Sequence, residues 1–312
     1  MKSQLVQLKL SQAMQGFRLV SEARGLSPHT IADYSTTFLK FQRHLERDLV
    51  MDQITPAHIA GFLAAQTTVK NKTKLNYYVG LCALWTWAKR ENIVTQHAPR
   101  EIPAPKAEQR EILPYNESDI RAMLNNLQRS KRYARPGKKV SDHALPFAER
   151  NRAILLVLLD TGIRAEELCT IRLHQVDKRN QRIQIHGKGA KERYVSFSAR
   201  THQALWRYLT TRPQVQDSEP LFVVDSGRAF TRDRLLDLLQ TIGSRAGVSG
   251  VTVHRFRHTF AIQYLRNRGD PYTLQRMLGH STLDMVKRYL AIAQADVESA
   301  HRLASPVDNW AL

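Results

Sequence analysis

His254-Arg255-Phe256-Arg257-His258-Thr259-Phe260-Ala261 is the stretch on which the reading of this chain turns, with Leu278-Gly279-His280 and Tyr289 following it. His254 and Arg257 are three residues apart, so on a helix they share a face. The piece from Gly279 to Tyr289 reads as a loop that enters a helix, with Ser281 and Asp284 as a capping pair. Tyr289 then falls about two turns into that helix, at ~3.6 residues per turn. A guanidinium fork, two imidazoles and a phenol gathered in this way suit an anionic substrate attacked by a tyrosine.

The charge of the whole chain agrees with an anionic target. In 312 residues the formal net charge is +19, while 42% hydrophobic and 24% charged residues are ordinary for a globular protein. Residues 1–104 carry 13 Lys and Arg against 7 Asp and Glu, a net of +6, which leaves +13 for residues 105–312. Both halves are basic, and such a charge repels itself unless a polyanion answers it. Only two cysteines occur, Cys82 and Cys169, without metal-ligand spacing. A reducing cytosol is the simplest expectation from them. The first twenty residues are polar and amphipathic, unlike a signal peptide. No apolar run approaches the ~18 residues of a membrane span. The basic surface therefore points to nucleic acid more than to lipid.

Outward from the opening stretch, most segments have helical periodicity. Leu5, Leu8, Met14, Phe17 and Val20 predict a helix over 4–20. Ser27-Pro28 is a helix start, with serine as N-cap and proline in the first turn, followed by a buried stripe of Tyr34, Phe38, Phe41 and Leu45. Thr55-Pro56 repeats that signal ahead of Ile59, Phe62 and Leu63. A fourth helix is expected over about 72–90 through Leu75, Tyr78, Val79, Cys82 and Trp85. Lys70, Lys72 and Lys74 crowd its start, where the helix dipole disfavours cations. Phosphates would relieve that conflict, and a solvated lysine-rich surface is the equal alternative.

The three prolines of His97-Ala-Pro-Arg-Glu-Ile-Pro-Ala-Pro105 mark a linker at about 97–106, between a helical domain of residues 1–104 and a second domain of residues 107–312. Asn116 opens a helix through Ile120, Met123, Leu124 and Leu127. The basic segment from Gln128 to Ser141 reads as an exposed loop, and Ala153 to Thr161 as a buried helix. Arg182 to His186 and Arg193 to Phe197 alternate with period two around a glycine-containing turn, which is a β-hairpin. Helices are expected at 199–210, 231–245, 255–268, 271–278, 282–293 and 296–304. The expected fold is mainly α with a small β-hairpin: an all-helical N-terminal domain and a mixed α+β second domain.

Two further places carry reactive side chains, and the histidines and tyrosine of the opening stretch have alternative readings. Thr161-Gly-Ile-Arg-Ala-Glu-Glu-Leu168 sets Arg164 just after a break, with Glu167 three residues later. An arginine there needs a carboxylate of the fold or a phosphate. Lys188 lies at the hairpin tip between Gly187 and Gly189, where a lysine either delivers a proton to a closely approaching partner or is simply solvated. His254-x-x-x-His258 has zinc spacing, but Arg255 stands where a metalloprotease has glutamate, and an arginine beside a cation is unfavourable. His280 and Tyr289 taken singly read as structural residues.

Taken in order, Thr-Gly-x-Arg-x-x-Glu-Leu, Gly-Lys-Gly-x-Lys, His-x-x-Arg-His-Thr, Leu-Gly-His and a tyrosine nine residues later resemble the tyrosine recombinase (phage integrase) family, in its two-domain, Xer- and Cre-like form. The resemblance spans 161–289, and the helical first part is similar to that family's core-binding domain. It implies Arg164, Lys188, His254, Arg257, His280 and the nucleophile Tyr289 as catalytic residues, and Glu167 as a supporting acid. DNA contacts are expected from Lys70, Lys72, Lys74 and Arg255. Tyr289 would form a 3′-phosphotyrosine, with His254 as proton acceptor and Lys188 as general acid for the leaving 5′-oxygen. No metal, nucleotide or other cofactor is expected.

The implied partner is double-stranded DNA, bound by a synaptic tetramer in which the tail from 294 to 312 docks on a neighbouring copy, with docking in cis as the alternative. Accessory bending or directionality proteins, and a cytoplasmic, nucleoid-associated enzyme of a prokaryote or phage, complete the expectation. Asp284-Met-Val-Lys-Arg288 departs from the threonine-rich version of chromosome-dimer resolvases and favours a mobile element. Alternatives are a type IB topoisomerase that relaxes DNA without exchange, and a DNA-binding protein without catalysis.

Overall fold

The computed structural model describes residues 7–108, 112–128, 144–187, 192–212, 216–279, 282–293, 305 and 307. Lys188, His280, Ser281, the basic loop from 129 to 141, the expected helix at 296–304 and nearly all of the C-terminal tail lie outside them. The chain divides into two compact units, Met1–Arg110 and Glu111–Leu312. Among the described residues no helix is long and apolar enough to cross a membrane.

The first unit holds α1 (Leu10–Ala23), α2 (Pro28–Leu45), α3 (Pro56–Ala65) and α4 (Asn71–Arg90). Ser27 caps α2 through its hydroxyl, which accepts the Thr30 N–H, and Pro28 occupies the first turn. Thr55 caps α3 with His58 in reciprocal contact. The first helix starts at Leu10 and not at residue 4, because Leu8 and Met51 share a backbone hydrogen bond and Lys9 bridges Val50. Phe41 packs edge-on against Phe62 and Trp85 at 5.3 and 6.1 Å, which makes an aromatic centre.

In α4 the buried face is Tyr77, Leu81, Leu84, Trp85 and Ala88, whereas Val79 is 51% exposed. Of the stripe expected from Leu75, Tyr78, Val79, Cys82 and Trp85, Trp85 is buried and Tyr78 packs on the core, while Val79 faces out, since this helix is apolar on more than one side. Ala98 is buried in the same core and Ile102 packs on it, within and after a 3-10 turn at Ala98–Glu101. The proline-rich stretch thus belongs to the first unit.

The second unit holds α5 (Glu117–Asn125), α6 (Ala148–Thr161), α7 (Ala165–Thr170), β1 (Val176–Asp177), β2 (Arg182–His186), β3 (Glu192–Ser196), α8 (Ala199–Thr210), α9 (Arg232–Ala246), α10 (Val253–Arg266), α11 (Pro271–Leu278) and α12 (Asp284–Ala293). The strands form an antiparallel sheet in the order β1-β2-β3, with Ile183 opposite Val195. Ile183, Ile185 and Val195 are buried while Glu192, Tyr194 and Ser196 face out, as period-two alternation requires. The two-residue strand β1 is too short to leave a periodic signal.

Helix α6 packs against α8 and α10, and α10 packs against α12. Along α10, Phe256 belongs to one hydrophobic cluster, while Phe260, Ala261, Ile262 and Leu265 join a second with Leu274, Leu278, Val286 and Tyr289. Burial on both sides of α10 holds its position, and with it the side chains of the opening stretch.

Candidate active site

Helix α6 ends at Gly162, which adopts φ +60°, and a Cβ there would come within 2.5 Å of Phe260. Only glycine fits this turn. The turn aims the Gly162 carbonyl at Arg257, whose Nη1 donates to it at 2.8 Å. Two residues on, Arg164 stands at the N-cap of α7, where Ser, Thr, Asp or Asn is the usual choice. Glu167, at the third helical position, accepts the Arg164 backbone N–H at 2.8 Å and its guanidinium Nη1 at 3.0 Å. The carboxylate so takes over the capping and fixes the arginine with the same two oxygens.

A residue not singled out from the sequence completes this arrangement. Arg193 on β3 donates Nη1 and Nη2 to the two Glu167 oxygens, each at 2.9 Å. Its signal was the strand alternation, because Arg193 shares the inward face of β3 with Val195, and an inward arginine requires an acid. Burial pushes the Glu167 carboxyl up. The hydrogen bonds from Arg193 and from the Arg164 backbone, with the charges of both arginines, outweigh it and hold the group below the usual carboxylate range.

The C-terminal end of α11 receives three arginines on successive carbonyls. Arg193 Nε donates to Met277 at 2.8 Å, Arg257 Nη2 to Leu278 at 2.7 Å and Arg164 Nη2 to Gly279 at 3.3 Å. Gly279 ends the helix at φ +64°. The negative end of the helix dipole thereby faces the cations. Arg257 is 4% exposed, and its pKa is pushed down to about 10, first by burial and then by the Arg164 charge.

Tyr289 on α12 is 1% exposed, and its hydroxyl lies 2.9 Å from His258 Nδ1. Burial raises the Tyr289 pKa, while Arg257, Arg288 and Arg164 pull against that rise. His258 is pushed down to about 4 by burial, then by His254, Arg257 and Arg288. Near neutral pH the imidazole is therefore uncharged and the phenol protonated, and in the tautomer that leaves His258 Nδ1 without a proton Tyr289 is the donor between them. His254 stacks on His258 at 6.3 Å and is itself exposed, its pKa lowered by partial burial and by Arg257 and Arg164. Among the described residues the imidazole bonded to the tyrosine is thus His258, one turn beyond the His254 expected in that place.

Of the expected catalytic residues, Arg164, Arg257 and Tyr289 come together with Glu167, and His254 stands one turn from His258. Lys188 and His280 lie outside the described residues. Arg255 is turned to another task. Its guanidinium donates to the carbonyls of Leu113, Ser249 and Pro114, stacks 4.1 Å over the Tyr115 ring and pairs with Asp119 at 3.6 Å. These bonds lash the start of the second unit to α10. Lys70 and Lys72 are exposed at the start of α4, and Lys74 is partly covered.

A cavity of about 630 Å³ lined by Phe147, Arg150, Tyr208 and Arg212 includes none of the site residues. Arg164 and Arg193 share the Glu167 carboxylate, and Arg164 and Arg257 place positive charge near the protonated Tyr289, an arrangement suited to an anion.

Known proteins resemble the chain in sequence and in fold. The model of the "Phage integrase family" matches residues 119–296, and that of the "Phage integrase, N-terminal SAM-like domain" matches residues 15–92. Each match falls inside one compact unit. "Tyrosine recombinase XerC" of Myxococcus xanthus is 25% identical over 311 residues, which is 95% of this chain and 98% of the relative. The protein of the same name from Listeria innocua is 27% identical over 300 residues, 91% and 93% of the two chains. In fold, the Tn1549 transposon integrase in complex with circular intermediate DNA superposes with a TM-score of 0.71 at 18% identity, over 93% of this chain and 98% of that one.

Proposed function

The chain belongs to the phage integrase family, and from that premise we propose that it is a site-specific DNA recombinase that cleaves and rejoins strands through Tyr289. The observation that carries this reading is the Tyr289 hydroxyl held on His258 Nδ1 within the field of Arg257 and Arg164. Its partner is double-stranded DNA, which the charge of +19 suits.

In the proposed reaction, Tyr289 Oη attacks the phosphorus of a phosphodiester, the bond to the deoxyribose 5′-oxygen breaks, and a 3′-phosphotyrosine forms. The phenolic proton passes to His258, and the leaving oxygen takes a proton from Lys188, the general acid that the family pattern assigns. Charge builds on the nonbridging oxygens as the phosphorus becomes five-coordinate. Arg164 and Arg257 supply donors and positive charge for it. Burial, and after it the neighbouring His254, Arg257 and Arg288, explain the weak basicity of His258 before DNA arrives. A bound phosphodiester offsets that positive field, so the imidazole gains basicity when the substrate is seated. His254 and His280 serve as further phosphate ligands. Reversal of the step, with the 5′-hydroxyl of another strand as nucleophile, reseals DNA without an external energy source.

The finer assignments are a clamp made by the helical first domain, four copies on two paired sites, and a tail that docks on a neighbour. Origin in a mobile element, accessory DNA-bending or directionality proteins, and action in the cytoplasm belong to the same reading. Deleting the residues after 294 should weaken assembly on paired sites more than binding to a single site; equal loss of both would count against docking between copies.

The recombinase reading is tested by supplying two differently labelled duplexes that carry the site selected by the chain from a randomised pool. Products that join one label to the other are expected. Relaxation of supercoiled DNA with no such products would favour the topoisomerase reading instead.

A further inference from the structure

Arg193 connects three parts of the site that are distant in sequence. It lies on β3, the outgoing strand of the hairpin, and is 14% exposed in its side chain. Both of its terminal nitrogens are spent on Glu167 and its Nε on the Met277 carbonyl. Glu167 in turn holds the Arg164 guanidinium, and Arg164 reaches the Gly279 carbonyl two residues beyond Met277. A Cβ on Gly279 would lie 3.2 Å from Arg193 Nη1, so the guanidinium fills the space at the end of α11. The chain of contacts therefore runs β3, α7, and the end of α11, and closes on itself.

We propose that Arg193 is a positioning residue for catalysis: it fixes the Glu167 carboxylate from behind, so that Arg164 presents its remaining donors to the scissile phosphate. This rests on the recombinase reading above. Geometry shows why arginine is required. Two parallel N–H bonds to one carboxylate and a third donor at right angles to a helix end match a planar guanidinium. A lysine offers one point charge and cannot hold both Glu167 oxygens and Met277 together. With Arg193 gone, Glu167 is free to swing with Arg164, and an ångström of displacement at the phosphate is costly in rate.

The proposal separates from a merely structural role through the charge of the substrate. Arg164 acts on the nonbridging oxygens, so its loss matters less when one of them is replaced by a methyl group and the phosphate becomes neutral. Single-turnover cleavage is measured for the full chain, R164A, R193A and R193K on the pool-selected duplex with a nick next to the scissile phosphate. The same duplex with a methylphosphonate at that position is run in parallel, with duplex affinity measured for each variant.

On phosphate, R193A and R193K should both lose cleavage by roughly 100-fold with affinity nearly unchanged. On methylphosphonate the losses of R164A, R193A and R193K relative to the unsubstituted chain should all shrink to less than about tenfold. Equal losses for R193A on the two substrates, a loss of affinity that tracks the loss of cleavage, or full activity of R193K would overturn the role of Arg193. Failure of the unsubstituted chain to form any adduct with the phosphate duplex would instead remove the recombinase reading, and this proposal with it.

Discussion

Replacing Glu167 with glutamine leaves Arg193 and Arg164 bonded to a neutral amide at a position that is 8% exposed. Breaking a buried ion pair in this way costs about 3 kcal/mol, so the second unit should melt roughly 6–12 °C lower, as a calorimetric scan would read. An unchanged melting temperature would mean that the carboxylate is not what holds the two arginines. Acid reaches the same residues in two windows. His258 titrates at about 4 in the folded protein against 6.5 ordinarily, so the unfolded chain binds the extra proton first. Stability should therefore decline as pH falls from about 6.5 to 4, by at most roughly 3 kcal/mol for this group. Glu167, whose pKa is depressed, adds a loss below its ordinary 4.5, as the carboxyl protonates. In H258F the decline in the upper window should be smaller, with His254 and His97 still contributing, while the lower window persists, which denaturant midpoints across pH would show. At this scale the sequence was readable where a side chain's spacing is local. Arg164 with Glu167 and His254 with Arg257 stand three apart on helices. The bonds of Arg193 depend on a strand meeting a helix end 84 residues later, and the contact of Tyr289 with His258 depends on where α12 lies against α10.

Among the elements, the break between α6 and α7 is the tightest. Gly162→Ala would force a positive φ on alanine and drive a methyl group into Phe260 and Leu278. A destabilisation of roughly 2–4 kcal/mol is expected from the strain and overpacking together. Because the Gly162 carbonyl also receives Arg257, strand cleavage should fall further than the melting temperature alone explains. Stability and activity both near the native values would show that the turn tolerates a side chain. Capping signals marked the start of α2 and α3 in advance, since Ser27-Pro28 and Thr55-Pro56 act within one turn. The start of α1 was misplaced because its end is set by pairing with residues 49–51, and the face of α4 was misread at Val79 because several sides of it are apolar. The hairpin alternation was legible, but β1, paired through Val176 and Asp177, was not.

Over the whole molecule, charge was the most legible feature. A net +19 requires that DNA binding weaken steeply with salt, with a slope of log K on log salt near −0.9 per phosphate neutralised. If the lysines at the start of α4 contact phosphates, a K70A/K72A double variant should reduce the magnitude of that slope by about 2. An unchanged slope would return both residues to the solvated surface. The proline-rich stretch signalled a boundary, but Ala98 and Ile102 pack on the first core, and composition alone does not reveal which residues of a linker are held. The central claim is that Tyr289, buried on His258 and flanked by arginines, is the nucleophile that attacks DNA. The most direct test mixes the full chain and its Tyr289→Phe variant with nicked duplex carrying the selected site and resolves the products under denaturing conditions. The unsubstituted chain should form a covalent protein–DNA adduct that maps to Tyr289, while the variant binds with comparable affinity and forms none. An adduct that survives in the variant would contradict the account.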